Sequence, residues 1–313
     1  MSPRLQRIAL TSISVVALSL AVVLAWRQGA SFEETIAAAS QLPIALLALV
    51  FVLSLINYGL RFLRWELLIG PIEGLSRRRH LTIYLAGFSL TLTPAKAGEA
   101  LRTVYLLPHG VSAGHSLACL AVERVLDVLA VAAIAGLVVI FWPLGWLIVL
   151  PSMVAVSVFA WLLRRNHSAD ALPAWLPSRI AMALAPLQSA FRPFSLGTFM
   201  RAIPLSFFGW GLEALGLALL VHHFHPEASL LLAAGIFAAA SLGGALTFLP
   251  GGLGGTELLM VALLTAIGLT GAEAALVTAV CRLATLWFGL ALGLIAVPML
   301  GARAVEQRGS GAR

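Results

Sequence analysis

The chain has 313 residues, of which 60% are hydrophobic and only 11% charged, and its formal net charge is +7. A soluble domain carries roughly 25% charged residues, so this composition excludes a wettable globular surface. Lys96 is the only lysine, and no stripe of arginines and aromatics reads as a nucleic-acid surface; the basic excess points to anionic lipid headgroups.

The first apolar run, Ile8 to Trp26, follows Arg4 and Arg7. It is too long for a signal-peptide core and no small-residue cleavage site follows it, so it reads as a retained first helix. About 20 apolar residues span the hydrocarbon core. On that measure hydropathy predicts helices near 8–26, 43–63, 115–140, 144–163, 204–222 and 273–300. Two further apolar stretches are interrupted. The first, 81–107, breaks at Pro94 and Gly98; the second, 229–268, breaks at Pro250-Gly251-Gly252 and Gly254-Gly255. Proline removes a helix hydrogen bond and glycine loosens the backbone. In lipid such breaks survive only where protein or a water-filled cavity satisfies the freed groups. Each stretch therefore predicts two half-helices joined at depth, either as a hairpin entering and leaving on one side or as two tilted crossings. The expected fold is an all-α integral membrane protein, one polytopic domain over 1–313, with about six spanning helices plus two broken hairpins.

Arginines orient it. With the N-terminus in the cytoplasm, Arg4, Arg7, Arg61, Arg64, Arg77 to Arg79, Arg164, Arg165, Arg179, Arg192, Arg201, Arg303, Arg308 and Arg313 fall on the cytoplasmic side. Only Arg27 falls outside, as the positive-inside rule demands. Both termini are then cytoplasmic. Residues 164–203 form a cytoplasmic connector, in which 178–194 suits an amphipathic helix lying on the membrane face.

An internal repeat is visible. Glu99, Gly110 and Arg124 recur as Glu257, Gly268 and Arg282 at a constant offset of 158 residues, each set preceded by a proline-initiated break. The repeat cores are about 81–140 and 229–300. The first hairpin returns to the cytoplasm and three crossings follow, so the second starts from outside. The units are predicted to be inverted, and paired broken helices in inverted repeats are a signature of alternating-access transporters.

Charges lie at membrane depth. Glu123, Arg124 and Asp127 share one face of the helix 115–140, being three and four residues apart. Glu99 and Arg102 follow the first break, Lys96 sits in it, Glu213 lies mid-helix, Glu257 opens the second half-helix, and Arg282 sits inside the last helix. One such charge costs about 2.5–3.5 kcal/mol at mid-bilayer on insertion scales, so these groups need partners or a polar cavity. In the functional reading Lys96, Arg102, Arg124 and Arg282 hold a phosphate, helped by the half-helix N-termini at Gly98 and Gly255. Glu99, Glu123, Asp127, Glu213 and Glu257 balance them, meet an ammonium group or carry protons. The alternative is a static set of ion pairs locking the helices.

Other features read as structural. Gly251 and Gly255 suit close helix packing, and no Gly-Lys-Ser/Thr follows to make a nucleotide loop. Cys119 and Cys281 lie in apolar segments with neither disulfide nor metal spacing, His222, His223 and His225 read as a solvated loop, and there is no nucleophile triad. No cofactor or metal is expected.

Taken in order, Asn57-x3-Arg61-x2-Arg64-Trp65, Pro94-Ala-Lys-Ala-Gly-Glu-Ala-Leu-Arg102, Glu123-Arg-Val-Leu-Asp127, Leu249-Pro-Gly-Gly-Leu-Gly-Gly-Thr-Glu257 and Arg282 resemble the lysylphosphatidylglycerol synthase transmembrane family over nearly the whole chain. The resemblance implies a bacterial inner-membrane lipid translocase, moving an aminoacylated or anionic phospholipid or another lipid-linked headgroup, and not itself an enzyme. Bifunctional members carry a soluble aminoacyltransferase domain after the membrane part. This chain stops about a dozen residues past the last predicted helix, so synthase activity is not carried over and would come from a separate partner. The rival expectations are a membrane enzyme acting on lipid-linked sugars and an accessory subunit of a synthase.

Overall fold

A computed structural model of the chain describes residues 32–93, 98–142, 150, 154, 158, 193–247 and 249–310, without the side chains of 32, 139, 140 and 302–310. The predicted helices 8–26 and 144–163, the amphipathic segment 178–194 apart from its last two residues, and the break residues Pro94 and Lys96 lie outside them, save for isolated positions 150, 154 and 158.

The described residues are helical throughout. In chain order the α-helices are α1 (Phe32–Gln41), α2 (Ile44–Ile69), α3 (Arg77–Gly87), α4 (Leu101–Leu106), α5 (Ala113–Ala135), α6 (Leu196–Phe224), α7 (Leu230–Leu246), α8 (Gly255–Ala266), α9 (Gly271–Arg282) and α10 (Phe288–Ser310). Three segments are long and apolar enough to cross a membrane: Ile44–Ile69, Leu196–Phe224 and Gly271–Gly301, the last formed by α9 and α10 joined through a π-helical turn. Helix α5 has comparable length, with Glu123, Arg124 and Asp127 at its centre.

The hydropathy estimates shift in several places. The helix expected at 43–63 continues to Ile69, because Arg61, Arg64 and Glu66 remain helical with buried or paired side chains. The helix expected from 204 begins at Leu196, where Ser195 caps it by accepting the Thr198 N–H. It therefore takes over the last residues assigned to the 164–203 connector. Helix α1 had no counterpart in the sequence reading.

Both interrupted stretches are broken. In the first, α3 passes into a 3-10 turn at Phe88–Leu90, and the chain resumes at Gly98, whose N–H donates to Thr93 Oγ1 at 2.6 Å. In the second, α7 ends at Leu246 and a 3-10 turn at Pro250–Gly252 precedes α8. Gly251, Gly252 and Gly254 all have positive φ there, a conformation that disfavours any side chain. The arms cross closely at Gly244: a Cβ on it would collide with Thr256.

Two apolar cores lie toward opposite ends of the long helices. One gathers Tyr58, Trp65, Ile83, Tyr84, Leu106 and Phe199; the other gathers Val50, Val138, Leu217, Ile236, Met260 and Leu264. The first hairpin has both arms in the former core (Ile83 and Tyr84 on α3, Leu106 on α4). The second has both arms in the latter (Ile236 on α7, Leu264 on α8). Each hairpin thus has both of its arms in one core. The tips meet between the cores, where Leu92 packs with Leu253 and Leu286.

Candidate functional site

Between the cores, near the middle of α2, α5 and α6, the polar side chains converge. Helices here are built of apolar residues with isolated charges, so these charges can escape lipid only by turning toward one another. Seven of them form one ion-paired network. Glu123 is fully buried between two arginines: Arg64 Nη2 lies 3.3 Å and Arg102 Nη1 2.8 Å from its carboxylate oxygens. Arg102 also pairs closely with Glu99, three residues earlier. Its guanidinium lies 4.6 Å from the ring centre of Trp65 and 4.4 Å from that of Tyr84, a cation–π sandwich. Arg64 donates to Asp127 Oδ1 and to Ser206 Oγ, both at 2.7 Å. Asp127 also accepts from Trp210 Nε1 at 3.0 Å, and its second oxygen lies 3.0 Å from Arg124 and 3.6 Å from Arg61. Arg124 reaches back to Glu99 at 3.4 Å.

A separate pair forms in the second hairpin. Arg282 Nε donates to Glu257 Oε1 at 2.6 Å, and Arg282 Nη2 donates to the Gly251 carbonyl at 2.7 Å. The other Glu257 oxygen accepts the Gly254 N–H at 2.7 Å. The glutamate therefore caps the N-terminus of its own helix while the arginine ties down the loop that precedes it. The π-helical turn Leu283–Trp287 follows Arg282 directly. A π turn displaces carbonyls from their usual partners, and the Tyr58 hydroxyl donates to that of Thr285. Asn57, one turn from Arg61, donates to Glu213 on α6.

These groups border a cavity of about 350 Å³. Of the residues singled out from the sequence, Glu99, Arg124, Asp127, Glu213, Arg282, Gly251 and Gly252 line it. Arg102, Glu123 and Glu257 do not; they sit behind the lining, the first two in the ion network and the third on the Arg282 latch. The rest of the lining is largely apolar, and three of its residues, Val128 of α5 and Ala245 and Leu249 around the second break, are exposed, so charged and apolar surfaces meet in one chamber. The N-terminus expected at Gly255 to be open for an anion is occupied: Glu257 already takes the Gly254 N–H.

Two arginines were misread from sequence. Arg61 and Arg64 were counted as cytoplasmic-face charges, and the structure buries both, at 4% and 0% exposure, inside the bundle. Arg61 lines the cavity. The available signal was their four- and seven-residue spacing from Asn57, which puts all three polar groups on one stripe of α2. Arg77, which pairs with Glu66 at 2.8 Å, and Arg78 are exposed. Among the described residues no cluster of three metal-ligating side chains forms, and Cys119 and Cys281 are buried free thiols.

Comparison with known proteins agrees with this architecture. The family model of the lysylphosphatidylglycerol synthase TM region matches residues 11–293. A UPF0104 membrane protein of Methanothermobacter thermautotrophicus is 30% identical, the match covering 85% of this chain and 88% of that protein. The chain belongs to the lysylphosphatidylglycerol synthase TM-region family and is a multi-pass membrane protein.

Proposed function

We propose that this family member is a lipid translocase, a flippase or scramblase, that passes a phospholipid or other lipid-linked headgroup through its central charged cavity without chemically altering it. The observation that carries the reading is a mid-bundle chamber that joins charged side chains to an apolar lining exposed at Val128, Ala245 and Leu249, which we take as its mouth. A headgroup loses its hydration on entering the membrane, and the guanidinium and carboxylate groups of the lining replace it. Acyl chains need no such help and can stay in the bilayer, threaded through the mouth.

The two hairpins act as an inverted pair in this reading. Support comes from equivalent detail at the offset of 158 residues. Gly110 and Gly268 both have positive φ, Ser112 and Thr270 both cap the next helix, and Arg124–Glu99 matches Arg282–Glu257. Further support is that the hairpins enter from opposite apolar cores. Two half-structures of similar build give inward-open and outward-open states of similar energy, so modest differential binding shifts the balance. With the termini in the cytoplasm of a bacterial inner membrane, the first hairpin enters from the cytoplasmic face. A separate synthase would supply any aminoacylated substrate.

The test is lipid movement in proteoliposomes containing the purified protein and headgroup-labelled phospholipid, with wild type compared with Arg124→Ala and Glu257→Gln. Both variants are expected to slow transfer by about tenfold or more, the loss of roughly one charge-assisted contact. Normal transfer by both would remove the cavity from the mechanism. An inactive wild type would leave the accessory-subunit reading in its place.

A further inference from the structure

The arginines of the ion network are not equally satisfied. Arg102 makes two carboxylate contacts and two ring contacts, and Arg64 donates to Asp127, Ser206 and Glu123. Arg61 is different. It is 4% exposed, yet its Nε and Nη2 have no hydrogen-bond partner. Its nearest carboxylate oxygen, on Asp127, is 3.6 Å away and is also contacted by Arg124 at 3.0 Å. The other Asp127 oxygen is taken by Arg64 and Trp210. What holds the Arg61 guanidinium is two rings, with Phe88 and Trp210 centred 5.5 and 5.8 Å from it. Rings stabilise a cation without using its N–H donors in the plane. Arg124, which also lines the cavity, has an Nε without a hydrogen-bond partner, while its Nη2 is ion-paired with Asp127 and Glu99.

Buried donors without acceptors are costly, and proteins retain them mainly where something else supplies the acceptor. We infer that Arg61, with Arg124 beside it, is the phosphate-receiving element of the cavity, and that the ligand is a phosphodiester or phosphate monoanion. Arg61 is stacked between Phe88 and Trp210 and meets Asp127 only at 3.6 Å, without a hydrogen bond, so a guanidinium that borders the cavity keeps buried donors for which an entering anion would supply the acceptor. A guanidinium presents paired donors that match two phosphate oxygens, which a lysine ammonium cannot do. Asp127 sits behind the pair and prevents the two cations from repelling each other apart. The phosphate chemistry would be the same in a lipid headgroup or a free phosphate ester; with a lipid, the assignment deepens the translocase reading and rests on it.

Native mass spectrometry of the purified full-length protein separates these possibilities. The probes are phosphatidylglycerol, a glucosyl diacylglycerol with the same acyl chains and no phosphate, and sn-glycerol 3-phosphate. Wild type is expected to retain phosphatidylglycerol at least about tenfold more tightly than the glycolipid, because a site built for an acceptor discriminates against a ligand lacking it. Arg61→Gln is expected to erase that preference, and Arg61→Lys to restore only part of it. No preference in the wild type overturns the assignment even if Arg61→Gln fails to fold. So does a full preference in Arg61→Gln or Arg61→Lys. If sn-glycerol 3-phosphate binds in an Arg61-dependent way and neither lipid does, the anion subsite stands and the lipid translocase reading falls.

Discussion

The two hairpins carry the same glutamate–arginine pair at the same spacing and use it differently. In the second, Glu257 and Arg282 serve their own loop: one caps Gly254 and the other holds the Gly251 carbonyl. In the first, Glu99 is shared between Arg102 and Arg124, and Arg124 is shared in turn with Asp127. The neighbours explain the difference. At the offset of 158 residues, Arg102, Glu123 and Asp127 are replaced by Met260, Cys281 and Thr285. Without those charges the second pair has only itself and the backbone to bond. With them, and with Arg61 and Arg64 contributed by α2, the first pair becomes part of a network joining α2, α4, α5 and α6. The same residue pair thus forms a local latch in one hairpin and a cross-helix anchor in the other.

The largest test of this contrast is Glu123→Ala. It removes the carboxylate shared by Arg64 and Arg102, leaving Arg64 to Asp127 and Arg102 to Glu99, and breaking a buried pair costs about 3–5 kcal/mol. Unfolding of the detergent-solubilised protein should show that loss, and a loss under about 1 kcal/mol would mean that the network anchors nothing. Next in size is the conversion of the first unit to the second, Arg102→Met with Glu123→Cys. Removing opposite charges together leaves fewer stranded groups, so the double variant should be more stable than Glu123→Ala by roughly 1 kcal/mol or more. Equal losses would show that the two charges are not coupled.

Glu257→Gln should cost about 1–3 kcal/mol, the price of one charged hydrogen-bond set. Its signature should be local: faster amide exchange at 250–257, with α4 and α5 unchanged. Glu99→Gln should instead raise exchange in both α4 and α5. Matching exchange patterns for the two variants would erase the distinction between latch and anchor.

The smallest effect lies at the edge of the network. Trp65, under Arg102, donates from Nε1 to His80 Nε2 at 3.0 Å, so His80 is bound there as a neutral ring. Burial holds its pKa below the ordinary 6.5. The neutral form is therefore favoured in the folded protein. The stability it contributes is present above about pH 6.5 and is lost as pH falls through the lowered value. His80→Gln should flatten that slope below about pH 6.5 with a change of under about 1 kcal/mol at neutral pH. An unchanged slope would place the titration elsewhere.

Local signals in the sequence were sufficient for the helical membrane class, both chain breaks and most of the charges that line the cavity. These depend on apolar run length, on proline and glycine, and on the cost of leaving a charge in lipid, all of which act within a few turns of helix. Helix ends were less legible, because side chains at 61–66 look like a polar terminus until their partners are known. Only the tertiary structure decided that Arg61 and Arg64 turn inward and that Arg102 and Glu123 lie behind the cavity wall rather than on it. It also decided that Glu257 caps its own helix instead of facing the chamber. The reason is physical: a buried charge is assigned its role by the partner it meets. Asp127 meets Arg64 from 63 residues away and Trp210 from 83, and no periodicity within either helix encodes which faces will come together.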